Sequence, residues 1–126
     1  MFSYLNLHPQ QKKVRDCVKR AISFVSELPY EQIAKELNEL KKETKSKVFN
    51  DNKNWKEYVS RKGWEKLSFP SEKGKVRMNG ERFCEQFTKG TYLLRMAGHL
   101  TAVKDGVIYD TWDCSQKCVY LAWKIK

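Results

Sequence analysis

The chain has no run approaching about 18 consecutive apolar residues, so no segment is long enough to span a bilayer as a helix. Residues 1–10 carry no basic stretch followed by the roughly 7–15-residue apolar run of a secretion signal. Both absences lead to the expectation of a cytoplasmic protein in a reducing compartment. There Cys17, Cys84, Cys114 and Cys118 stay as free thiols. Cys114 and Cys118 are spaced like half a zinc site, but no second Cys pair or His pair completes it, so no metal is expected. No cofactor is implied. There is no internal repeat and no low-complexity tract.

Acidic residues are the minority. Against 25 Lys and Arg stand 15 Asp and Glu, leaving a formal charge of +10. Such a charge suits nucleic acid, an acidic protein partner, or a merely solvated lysine-rich surface. Only Lys12 to Arg20 forms a compact basic cluster, and no aromatic platform interleaves it as single-strand binders require. Nucleic acid is therefore the weaker partner expectation, a peptide or protein substrate the stronger, and a membrane none. Oligomeric state is open. With 126 residues, 40% of them hydrophobic and 13% aromatic, the chain supports one folded domain spanning 1–126.

What is present centres on Met96 to Asp113. Asp105-Gly106 between two apolar runs predicts a two-residue β-hairpin. Counting outward pairs Lys104 with Val107, Thr101 with Asp110 and His99 with Trp112. His99, Thr101, Val103, Ile108, Asp110 and Trp112 then share one face, with Asp110 diagonal to His99 and within reach of it. Leu100, Ala102, Val107 and Tyr109 take the other face, so both sides are expected to be covered and the hairpin central in its sheet. Trp112 is expected to pack in the core or to wall the site. His8 falls in a polar lead-in and reads as solvated.

Near the other end, Asp16 is the expected N-cap of a helix running through Cys17, Val18, Ala21, Ile22 and Val25. Cys17 then occupies the first turn, where the positive end of the helix dipole favours a thiolate. As a small apolar residue on a buried stripe it needs no further role. Pro29 opens a second helix with Ile33, Ala34, Leu37 and Leu40 inward. Asn54 caps a third, ended by Gly63. Residues 1–13 read as irregular, and a polar stretch separates the second and third helices. Trp64 to Phe69 is an expected strand and Glu81 to Phe87 a fourth helix. Strands follow at Thr91 to Met96, His99 to Lys104, Val107 to Thr111 and Cys118 to Lys124. Helices first and an antiparallel sheet afterwards is an α+β arrangement.

A thiol at a helix start, a distant His on a strand and an Asp on the next strand supply nucleophile, base and orienter for acyl transfer. The Cys17 amide is a candidate oxyanion donor. A side-chain donor is expected upstream, where Gln11 lies six residues before Cys17, with Asn6 and Gln10 as alternatives.

This order resembles the papain-like cysteine peptidase superfamily, the small bacteriocin-leader (double-glycine) peptidases in particular. Those carry a Gln six residues ahead of an Asp-Cys pair opening a helix, here Gln11-Lys12-Lys13-Val14-Arg15-Asp16-Cys17. Their second motif is a His opening an apolar strand and an Asp on the next, here His99-Leu100-Thr101-Ala102-Val103 and Ile108-Tyr109-Asp110. The sequence is also similar to small phage and bacterial proteins with an Asp-Cys-Val-x-Arg-Ala-Ile start and a His-Leu-Thr-Ala-Val…Tyr-Asp-Thr-Trp end. It departs from the leader peptidases at Val18, where they have Gly. The resemblance implies a papain-like fold with N-terminal helices on a C-terminal antiparallel sheet, Cys17 as nucleophile, His99 as base, Asp110 as orienter and Gln11 at the oxyanion. A catalytically silent binding protein on the same fold is the competing expectation.

Overall fold

A computed structural model describes residues 2–10, 16–44, 52–69 and 77–125. In chain order its elements are β1 (Phe2–Tyr4), α1 (Cys17–Ser26), α2 (Tyr30–Thr44), α3 (Asn52–Lys62), β2 (Glu65–Ser68), α4 (Gly80–Gln86), β3 (Thr91–Met96), β4 (His99–Lys104), β5 (Val107–Asp110) and β6 (Val119–Lys124). The strands form a single sheet in the order β1-β5-β4-β3-β6-β2. The α+β class holds.

The hairpin forms as its turn residues dictate. Asp105 and Gly106 both take positive φ, 49° and 77°, the geometry that a two-residue turn between twisted strands demands. The Asp105 carboxylate also accepts from Gly90 N at 2.9 Å, fixing the turn to the start of β3. Lys104 pairs with Val107, Val103 with Ile108 and Ala102 with Tyr109, the expected register. Both hairpin strands are interior to the sheet.

The sheet is covered on both faces by alternation of side chains along its strands. One face sends Leu93, Leu100, Ala102 and Trp123 into a core with Val18, Ile22 and Val25 of α1, Ile33 and Leu37 of α2, and Trp55 and Val59 of α3. The other sends Tyr92, Leu94, Met96, Val103, Ile108, Val119 and Ala122 against Phe83 and Cys84 of α4 and against Cys114. A fully buried aliphatic side chain of this kind contributes about 1.5–3 kcal/mol, and Ile22, Val25, Ile33 and Leu37 are each 0% exposed.

Three expectations are corrected. The sheet is mixed: residues 2–4, read as irregular, form β1 and pair parallel with β5, Tyr4 facing Asp110. A three-residue strand is too short to show period-two patterning, and its partner lies more than a hundred positions away. Asn54 does not cap α3 but lies inside it, wholly buried, its Nδ2 donating to Leu37 O at 3.3 Å and tying α3 to α2. Asp16 precedes α1, but its side chain makes no capping hydrogen bond. Among the described residues no helix is long and apolar enough to cross a membrane.

Candidate active site

Cys17 opens α1, and α1 packs on the sheet face that carries Leu100 and Ala102. His99 alternates onto the opposite face. The two nevertheless meet. Registered pairs between β4 and β5 stop at Ala102↔Tyr109, so the His99–Thr101 end of β4 is unpaired on the β5 side. There the Cys17 sulfur comes near enough to the Leu100 backbone and the His99 ring for both to favour its thiolate. Opening the ladder beyond Ala102 thus lets a helix on one face deliver a thiol to an imidazole on the other.

His99 Nε2 lies 2.7 Å from Asp110 Oδ2. With Nε2 committed to the carboxylate, Nδ1 is the ring nitrogen left for the thiol. Asp110 is 4% exposed and densely held. Its Oδ2 also accepts from Thr101 Oγ1 at 2.6 Å, and its Oδ1 from Thr111 N at 2.7 Å. Arg20 stands 3.6 Å from Oδ1. Burial alone would push the Asp110 carboxyl up, but the hydrogen bonds from His99, Thr101 and Thr111 and the His99 charge hold it below the ordinary carboxylate range. It is an anion at every physiological pH.

The charges propagate to the ring and the thiol. Burial would lower the His99 pKa, yet hydrogen bonds to Asp110, Cys114 and Cys17, with the Asp110 charge, push it up to about 11. Burial likewise opposes the Cys17 thiolate. The His99 hydrogen bond, the Leu100 backbone bond and the His99 charge overcome it, and the thiol sits below its ordinary value despite repulsion from Asp110. Thiolate and imidazolium are the favoured pair.

The structure brings Cys17, His99 and Asp110 together in one cluster. Gln11 lies outside the described residues. Of its alternatives, Gln10 is exposed. Asn6 is buried, its Oδ1 accepting from His8 N, between Leu5 and Leu7, which line a cavity of about 10 Å³ beside Cys17. That volume is about one water. From Leu5, Leu7 and Phe24 a groove of about 490 Å³ continues past Leu28, Pro29 and Tyr30 to Lys104. Trp112 does not pack in the core. It is 44% exposed, its ring 4.9 Å from that of His99, and it walls the site. His8 is not simply solvated, since its ring lies 5.3 Å from that of Tyr30.

Several supporting residues were not foreseen. Arg20 is nearly buried and bridges two carboxylates, pairing with Asp16 one turn back and reaching Asp110. Tyr30 donates to the other Asp16 oxygen at 2.8 Å. A buried carboxylate offered a guanidinium and a phenol takes these in preference to helix amides, which explains why Asp16 leaves the first turn of α1 uncapped. The signal was there: Asp16 and Arg20 stand at i, i+4. Cys114 had no such signal. It is buried, with Sγ 3.7 Å from Asp110 Oδ2, and it hydrogen-bonds to His99. Comparisons with family models, with curated proteins and with solved structures return no match for the chain.

Proposed function

We propose that this protein is a papain-like cysteine hydrolase that cleaves an amide or thioester carbonyl with Cys17, His99 and Asp110, a peptidase being the main form of that chemistry. The observation that carries the reading is the cluster itself: the Cys17 thiol beside the His99 ring, whose Nε2 lies 2.7 Å from the buried Asp110 carboxylate. His99 Nδ1 takes the thiol proton and the thiolate attacks the carbonyl carbon. The developing oxyanion lies at the start of α1, where the Cys17 amide and the helix dipole favour negative charge. The imidazolium returns the proton to the leaving amine or thiol, and water then releases the acyl group by the same exchange in reverse. Asp110 keeps the ring oriented throughout and stabilises it while it is charged. A reducing cytosol suits the scheme, since it keeps Cys17 free.

One observation favours the silent binding protein instead: the cavity beside Cys17 holds about one water, and no scissile segment fits it as it stands. The two readings separate in one experiment. An activated acyl thioester is incubated with the protein and the adduct mapped by mass spectrometry. The hydrolase acylates at Cys17 and turns over, while His99→Ala suppresses both steps. A protein that leaves Cys17 unmodified while Cys17→Ala retains its biological activity is the binding protein.

A further inference from the structure

Cys114 is a buried thiol for which the acyl-transfer scheme has no use. We propose that His99 Nε2, Asp110 Oδ2 and Cys114 Sγ form a binding site for a borderline-soft divalent metal of the zinc type, and that occupancy switches the Cys17 chemistry off. The site stands on its own geometry, whereas its inhibitory consequence rests on the hydrolase reading.

The three donor atoms lie within 4.8 Å of one another and converge from β4, β5 and the turn after β5. With bond lengths near 2.0 Å to nitrogen and oxygen and 2.3 Å to thiolate, a tetrahedral ion separates its N and O donors by about 3.4 Å and its S and O donors by about 3.6 Å. The Sγ to Oδ2 separation is 3.7 Å, already at that spacing. The Nε2 to Oδ2 separation of 2.7 Å must widen by roughly 0.7 Å, a rotation of the carboxylate. One imidazole, one carboxylate and one thiolate match zinc and cobalt and disfavour magnesium and calcium, which prefer oxygen alone. Three protein donors leave the fourth place of a tetrahedral zinc to a solvent molecule.

The proton count gives the consequence. Binding expels to solvent the Cys114 thiol proton and the proton held between Nε2 and Asp110. The metal-bound imidazole is neutral and carries its hydrogen on Nδ1. It faces the Cys17 thiolate with the one proton the pair has left, and giving that proton to a leaving group would leave the ring as a metal-bound imidazolate. Cys17 thereby loses its general acid while its own sulfur stays unligated, which distinguishes this site from a metal held directly on the nucleophile.

The test uses the full chain carrying Cys17→Ser, so that the nucleophile cannot bind the metal, and cobalt(II) as the probe. A 1:1 complex with thiolate-to-cobalt charge transfer and strong four-coordinate visible bands is expected, displaced by zinc. Adding Cys114→Ser should remove the charge-transfer band and weaken zinc at least tenfold, while adding Cys118→Ser should change neither. X-ray absorption on the zinc-loaded Cys17→Ser protein needs no second substitution and should show one sulfur at about 2.3 Å. No saturable binding at millimolar metal, a sulfur-free shell, or bands that survive Cys114→Ser would each overturn the site. So would bands in the wild type that vanish with Cys17→Ser. All these readouts are independent of hydrolysis, so an inactive protein that binds cobalt through Cys114 would refute the function and not the site.

Discussion

Asp110→Asn replaces the carboxylate by a near-isosteric amide and tests how the site makes a thiolate. Two effects oppose. Removing the Asp110 charge removes a repulsion felt by the Cys17 sulfur, which favours the thiolate. It also removes the anion that holds His99 protonated, which disfavours it. The His99 influences on Cys17 outrank the Asp110 repulsion, so the outcome turns on whether the ring keeps its charge. The size of the loss at His99 follows from the contact. A hydrogen bond to a charged partner is worth about 1.5–3 kcal/mol, roughly twice a neutral one. Asn keeps the neutral half, so about 1–1.5 kcal/mol goes, or about one pKa unit at His99 from its starting value of about 11. Both side chains are under a tenth exposed, so solvent screening takes little of this away. The assay is the rate of Cys17 alkylation by iodoacetamide across pH, read peptide by peptide. Wild type should alkylate Cys17 faster than Cys84, Cys114 or Cys118 at pH 7 and hold that rate into mildly acidic solution. A loss of about one unit leaves His99 charged throughout the acidic side, so Asp110→Asn should alkylate there at least as fast as wild type, the relieved repulsion alone being felt, and lose the ring's help only in alkaline solution. A variant that alkylates more slowly below pH 7 would show that the carboxylate holds the imidazolium by far more than this one bond.

His99→Ala should remove the selectivity of Cys17 over the other thiols and lower hydrolysis at least about 100-fold, the contribution of a positioned acid–base group; the peptide-resolved alkylation assay and a thioester turnover assay check it. Arg20→Gln leaves the buried Asp16 facing only Tyr30 and should destabilise the fold by about 3 kcal/mol or more, read as a fall in the urea midpoint. Gly80→Ala puts a methyl 3.0 Å from both Ile108 Cδ1 and Ser115 Cα. Overpacking of this kind costs about 1–3 kcal/mol, and a calorimetric scan should show the loss in Tm.

The parts of the fold legible in the sequence are those where local chemistry and the global arrangement agree. Asp105-Gly106 encodes a turn that few other residue pairs tolerate, and parity then carries His99, Thr101 and Asp110 onto one face without further information. The stripe through Val18, Ile22 and Val25 fixes which side of α1 is buried, and so places Cys17 at its margin. What was illegible depends on partners far away in the chain. Asp16 reads as a cap because that is what an isolated helix would make of it. Its actual partner Tyr30 belongs to α2 and is visible only once α1 and α2 pack. Cys114 comes to His99 because the chain after β5 turns back under the sheet, and nothing in its neighbours' types announces that turn. The meeting of Cys17 with His99 across the sheet shows in no local pattern, since it depends on a β4–β5 ladder that ends at Ala102 and Tyr109.

The parallel pairing of β1 with β5 also bears on how the protein is made. Phe2–Tyr4 are made about a hundred residues ahead of the Ile108–Asp110 segment they pair with. The hairpin of β4 and β5 closes over two residues and is fast to form, whereas β1 must find its place across a loop of more than a hundred residues, a slow step in chain-closure terms. Leu5 is anchored by the Asp110 carbonyl at 2.8 Å and, with Leu7, walls the cavity at Cys17. During synthesis Cys17 therefore waits on α1 without His99, Asp110 or the Leu5–Leu7 wall beside it. The cluster exists only once the sheet has closed, so an incomplete chain carries the thiol in surroundings unlike those of the folded protein.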